Sequence, residues 1–171
     1  MMVLYHLVFF SLLLVLQSVA VPLVFPQWLA GCIDLPLIGA VHVAITRGKR
    51  AGMLSGVFLG YFQDAMAGGV LGVNGISKIV AGYTGGMLSE KLFARDLFHR
   101  SGSVFGAVLG GFVSKILTLY IFSLPAPSIA SLSAIGFVVI NTAFVLLISS
   151  LLNRIESRVG IRGDEELSLG G

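Results

Sequence analysis

The strongest constraint on this chain is where its bases fall. It has eleven lysines and arginines, and nine of them sit in three short stretches: Arg47, Lys49 and Arg50; Lys91, Arg95 and Arg100; and Arg154, Arg158 and Arg162. The sequence around these stretches is apolar. It is interrupted between them by gaps with no base at all, near 22–28, 67–72 and 125–128. Basic loops stay on the cytoplasmic side of a membrane. The alternation therefore predicts six spans, over 3–21, 29–46, 51–66, 73–89, 103–124 and 129–152, with residues 154–171 as a polar tail and both termini in the cytoplasm.

Composition agrees with that reading. Apolar residues make up 56% of the chain and charged residues 11%, against about 25% charge in a typical soluble domain. The expected class is an all-α integral membrane protein with six transmembrane helices and no separate soluble domain. The net charge of +3 reads as topology rather than nucleic-acid binding. A single cysteine, Cys32, excludes an intramolecular disulfide and supplies no metal-ligand set. It reads as a small hydrophobe near a helix end.

The first run has no basic residue ahead of it and is long for a signal core. It is expected to be an uncleaved span despite the Ser18-Val19-Ala20 sequence. Pro22 to Trp28 is expected to be an interfacial loop, since Phe25 and Trp28 suit a membrane boundary. The third and fourth spans are short and rich in glycine, so they either tilt, thin the bilayer locally or dip without crossing. Gly68-Gly69 is their expected pivot. Leu92, Phe93, Leu97 and Phe98 alternate with charges over 90–102, which suggests a small interfacial helix. The last residues, with the acidic run Asp164-Glu165-Glu166, are expected to lack order.

Two patterns inside the spans stand out. Gly52, Gly56 and Gly60 recur every four residues, with Asp64 on the same stripe, and Gly82 with Gly86 and Gly106 with Gly110 repeat the spacing. Such stripes let helices approach closely in lipid. Either they are packing faces alone, or the close approach also positions Asp64 and Lys78. The second pattern is buried charge. Asp64, Lys78 and Lys115 lie roughly 18–23 Å from the basic side at 1.5 Å per residue, and Asp34 enters from the opposite face. Asp34 can be read as a carboxylate favoured in the first turn of a helix, or as one member of a polar cluster with Asp64, Lys78 and Lys115. Gln17, Ser77 and Ser114 lie at depths that could add hydrogen bonds. An ionised group in hydrocarbon is costly unless paired, and Asp64 with Lys78 is the pair expected first. The cluster can lock the fold, meet a partner's helix or bind a small polar ligand; the lysines can instead snorkel to the interface.

No P-loop, HExxH, GxSxG or histidine pair is present, so neither an enzyme nor a metal or organic cofactor is expected. The stretch Ile33-Asp34-Leu35-Pro36-Leu37, the segment GVFLGYFQD from Gly56 to Asp64 and GVLGVNGISKIVAGYTGG from Gly69 to Gly86, with the size and six-span plan, together resemble the MreD family of bacterial rod shape-determining membrane proteins. In the first element the proline follows the acid, whereas the family's run has it before. The resemblance implies an inner-membrane, noncatalytic scaffold for lateral peptidoglycan synthesis. Its partners would be MreC first, then MreB, RodA and penicillin-binding protein 2, with membrane lipid around it and no nucleic acid. It also implies a fold similar to the substrate-binding subunits of energy-coupling factor transporters. For that reason the second reading is a subunit that binds or transports a small solute or lipid.

Overall fold

The protein is described by a computed structural model covering residues 2–68, 70–91, 97–125 and 132–159. The described residues form helices joined by turns. In order these are α1 Met2–Val15, a π-helical turn Leu16–Ala20, α2 Val21–Val24, α3 Gln27–Ala30, α4 Leu35–Arg47, α5 Lys49–Ala67, α6 Val73–Lys91, α7 Leu97–Ile121 and α8 Leu132–Val159. The fold is all-helical, with several long apolar helices consistent with a membrane protein. Three stretches, Gln27–Arg47, His99–Ile121 and Leu132–Leu151, are long and apolar enough to cross a membrane, and Val8–Val24 is a shorter apolar helix. The helices α5 and α6 have 19 residues each, longer than the 51–66 and 73–89 expected. Their glycines and polar residues keep them out of that apolar set.

The interior is organised around α4. Nine consecutive residues, Pro36 to Ala44, are buried, so this part of the helix is enclosed on every side, with His42 the one polar side chain among them. Leu37, Ile38 and Val41 pack with Val104, Val108 and Phe112 of α7 and Val145 of α8. Ala40 and Val43 pack with Phe10 and Leu14 of α1 and Leu59 of α5.

The helices α5 and α6 meet backbone to backbone. A methyl group added at Gly56 would lie 2.5 Å from the Lys78 carbonyl oxygen, one at Gly52 2.8 Å from the Gly82 carbonyl oxygen, and one at Gly60 2.6 Å from the Gly75 nitrogen. At the far end Gly86 faces the Lys49 backbone. The expected stripes are therefore real packing faces, and they run antiparallel. Gly75 completes the second stripe. On the other side of α6, Gly106 and Gly110 of α7 receive Leu88 and Thr84, and Gly111, outside the expected stripe, accommodates Ala81 and Ser77. The turn between α5 and α6 needs left-handed backbone at Gly68 (φ 62°) and Gly72 (φ 104°), which glycine adopts without a Cβ penalty. The expected partner pivot, Gly69, lies outside the described residues.

Several boundaries differ from expectation. Residues 22–24 are helical and not loop: the helical run continues from the π-helical turn through Pro22 to Val24. The chain breaks at Phe25-Pro26 instead. The last helix runs on to Val159, so the expected polar tail begins as a continuation of α8. Of the interfacial helix expected over 90–102, residues 92–96 lie outside the described residues, while 90–91 belong to the end of α6 and 97–102 to the start of α7. The acidic run at 164–166 also lies outside the described residues.

Candidate functional site

The polar centre is built on a break in a helix. The stretch Gln27–Arg47 is interrupted at residues 31–34, between α3 and α4. Irregular backbone inside an apolar bundle exposes N–H and C=O groups that must find partners. Two side-chain amides supply them from opposite sides. Asn141 of α8, fully buried, donates to the carbonyls of Cys32 at 2.8 Å and Phe137 at 2.7 Å and accepts the Asp34 N–H at 2.9 Å. Gln17, in the π-helical turn, donates to the Ile33 carbonyl at 3.1 Å and accepts the Leu35 N–H at 2.8 Å. The break is thus clamped through four successive residues. π-helical turns often mark functional positions, and this one points its glutamine at the clamp.

The clamp positions Asp34. Its carboxylate accepts the Leu37 N–H at 3.1 Å, capping α4, and receives the Lys78 ammonium at 2.9 Å. Helix capping and membership of a charge cluster, two separate readings of this residue in the sequence, are both true of it. The pair is almost wholly withdrawn from solvent, with side-chain exposures of 0% for Lys78 and 6% for Asp34. The backbone of Lys78 is the part of α6 that rests on Gly56, so the close approach of α5 and α6 sets where this lysine starts.

The expected first pair, Asp64 with Lys78, does not form. Asp64 turns to the amino-terminal end of α6. It accepts the N–H groups of Gly72 at 2.8 Å, Asn74 at 3.2 Å and Gly75 at 3.3 Å, together with the Asn74 side-chain amide at 2.7 Å. Those N–H groups have no carbonyl within their own helix, and the helix dipole favours an anion there. Depth brings Asp64 near enough to Lys78 to be felt electrostatically, yet the backbone donors claim its oxygens. The Asn74 side-chain oxygen is buried without a partner among the described residues.

The other expected members divide. Lys115 is half-buried and acts through space on Asp34 and Lys78 but bonds to neither. Ser77 donates to the Gly111 carbonyl at 2.8 Å, tying α6 to α7 and not to the charges. The Ser114 hydroxyl takes no part; only its carbonyl is engaged, by Thr118 at 2.8 Å. Sequence reasoning did not assign roles to Asn141 or Asn74. Asn141 was visible as an amide near the middle of an apolar span, which is the signal that could have found it. A second buried contact, His42 Nδ1 to Ser149 Oγ at 2.9 Å, joins α4 to α8 nearer the basic end.

Beside the ion pair, α3, α7 and α8 enclose a cleft of about 340 Å³. Trp28, Cys32, Lys115, Ile116 and Phe137 are among its walls. The Phe112 and Phe137 rings in its wall pack against each other tilted by 34°, with centroids 5.4 Å apart.

No family model, no characterised protein and no solved structure matches this chain.

Proposed function

We propose that this protein is a noncatalytic membrane scaffold of the bacterial cell-elongation machinery, MreD-like, which supports lateral peptidoglycan synthesis and rod shape. In this reading it is a six-span protein of the inner membrane with both termini in the cytoplasm, folded like the substrate-binding subunits of energy-coupling factor transporters. Its nearest partner is MreC, with MreB, RodA and penicillin-binding protein 2 in the wider assembly. The observation that carries the reading is how the buried polar groups are spent. Asp34, Lys78, Asp64, Asn141 and Gln17 hold helix ends and a helix break. A rigid bundle of that kind suits a partner-binding surface, and the GVFLGYFQD segment that carries the resemblance forms one half of the tightest crossing. Copurification after mild detergent extraction tests it. MreC is expected to be recovered with the full chain, and cells depleted of the protein are expected to round up. Recovery of no elongation protein, with normal shape on depletion, would reject the proposal.

The second reading, a subunit that binds or transports a small solute or lipid, is favoured by one observation. A helix broken at Asp34 next to a cleft lined by Lys115 is the kind of place where membrane transporters bind their substrates.

A further inference from the structure

The two acids and two bases of the polar centre sum to zero, but only one acid and one base are bonded to each other. Asp34 and Lys78 neutralise each other. Asp64 is held by backbone donors and the Asn74 amide. Lys115 remains, and it makes no hydrogen bond or ion pair among the described residues. Among the described residues it is also the only charged one lining the 340 Å³ cleft. The other polar side chains of the cleft, Gln27 and Ser133, are uncharged, and a cation in a mainly apolar setting calls for an anion or for water.

The cleft does not end at Lys115. Phe112 and Ala134 wall both it and a second groove, of about 270 Å³, between α7 and α8. That groove continues past Leu109 to Phe105 on α7 and past Val138 to Val139 on α8, and every residue lining it is apolar. Because α7 ends at Ile121 and α8 begins at Leu132, the cleft lies toward that shared end and the groove runs deeper. From Leu119 to Phe105 the two together extend roughly 21 Å at 1.5 Å per residue. A single cation in the cleft and an apolar trough beyond it fit an amphiphile with a compact negative head.

We infer that this cleft and groove form a binding site for one anionic phospholipid, with its phosphate at the Lys115 ammonium and an acyl chain along the α7–α8 groove. A lysine binds phosphate as a point charge through up to three donors, and its four-carbon stem lets the head stay near the interface while the backbone lies deeper. The inference rests on the membrane reading and is independent of any role in cell elongation, since it requires no partner protein.

The test is native mass spectrometry on the purified full chain in detergent, titrated with phosphatidylglycerol, phosphatidylcholine or soluble glycerol phosphate. Phosphatidylglycerol should bind with one-to-one stoichiometry and clearly more tightly than phosphatidylcholine. Lys115→Gln should weaken it by about tenfold or more, the loss of one charge-assisted contact, and Lys115→Arg should restore most of the binding. Leu109→Trp, which fills the groove and leaves the cation in place, should weaken the lipid as well. Lys49→Gln, at the opposite end of the bundle, should leave binding unchanged. Equal retention of the two lipids would overturn the site, as would full phosphatidylglycerol binding by a Lys115→Gln protein with wild-type melting. Glycerol phosphate competing as well as the lipid would show a head-only anion site and would also overturn it. If Lys115→Gln does not fold, the lipid-class comparison and Leu109→Trp decide the matter. Failure to recover MreC would reject the scaffold proposal and leave these measurements unaffected.

Discussion

The α5–α6 crossing and the α7–α8 seam are built from opposite materials. At the crossing the contact surfaces are glycines and bare backbone, so close that added methyl groups at Gly52, Gly56 and Gly60 would strike the opposing main chain. At the seam the walls are large side chains, among them Phe105, Leu109, Ile135 and Val139, which leave an open groove and stay 40–58% exposed. The difference teaches where this bundle is rigid. Backbone cannot rotate out of the way as a side chain can, so the crossing has one register, whereas the seam can reshape or accept an occupant. The ion pair stands between the two, with Lys78 rooted in the crossing and Lys115 facing the cleft.

The sharpest way to break this comparison is to put bulk into each region. Gly56→Leu would drive a side chain into the Lys78 carbonyl, a clash that only separation of α5 and α6 relieves. Folded protein should be lost, as read by size-exclusion yield and resistance to mild denaturing detergent. Ile135→Ala at the seam should shift stability by no more than about 0.5 kcal/mol, and Gly102→Ala, which meets nothing within 4 Å, should be equally quiet. If Gly56→Leu melts like the wild type, the crossing is not the rigid element.

A smaller effect is expected from the charges. Lys78→Met strands a buried carboxylate and should cost about 3–5 kcal/mol by analogy with soluble proteins. Adding Asp34→Asn should recover part of that loss, because neither charge is then left alone. The same cycle with Asp64→Asn should be close to additive, since Asp64 bonds to the α6 backbone instead. Strong coupling between Asp64 and Lys78, with none between Asp34 and Lys78, would reverse the assignment made from the geometry.

The smallest effect lies at the basic end of the crossing. Glu90 accepts the Lys49 ammonium at 2.9 Å and the Lys49 backbone N–H at 3.3 Å, which caps α5. Those two hydrogen bonds hold the Glu90 pKa below its usual value, and the side-chain bond from Glu90 holds the Lys49 pKa above its own. For Glu90 the contribution is complete above the ordinary glutamate pKa of about 4.3 and is lost as pH falls through the lowered folded value. For Lys49 it is complete below about 10.4 and is lost as pH rises through the raised one. The melting difference between wild type and Glu90→Gln should therefore be flat from about pH 5 to pH 10, vanish at both extremes and shrink with salt, since both side chains are more than two-fifths exposed. A difference that persists below pH 2 would exclude this ion pair as its source.

Much of this architecture was legible before any coordinates. A period of four in glycine is a statement about one helix face, so the packing stripes at Gly52, Gly56 and Gly60 followed directly. The first basic cluster marked the junction of α4 and α5, whereas Arg154 and Arg158 fall inside α8. Rise per residue converts sequence number into depth, which put Asp34, Asp64, Lys78 and Lys115 within reach of one another, and in the structure Lys78 interacts through space with the other three. What failed was the pairing. Asp64 and Lys78 share a depth and adjoining helices, but depth leaves the direction of a side chain around its helix open. Competition mattered as well: three backbone N–H groups at the start of α6 outbid one ammonium for the Asp64 oxygens. The tail failed for another reason. Polar residues after Leu152 looked like an end, yet nothing in Asn153 to Val159 prevents helix continuation, and α8 carries on through them.

The chain by itself determined that it would be an apolar helical bundle and which glycine faces come close, because hydropathy and glycine spacing act within a few positions of one another. Only the tertiary structure decided that Lys78 belongs to Asp34, that Asn141 and Gln17 clamp the break from two sides, and that Lys115 is left facing a cleft. Those contacts join residues 16 to 109 positions apart. They depend on how each helix is rotated about its own axis, and that rotation is set by the packing of all its neighbours at once.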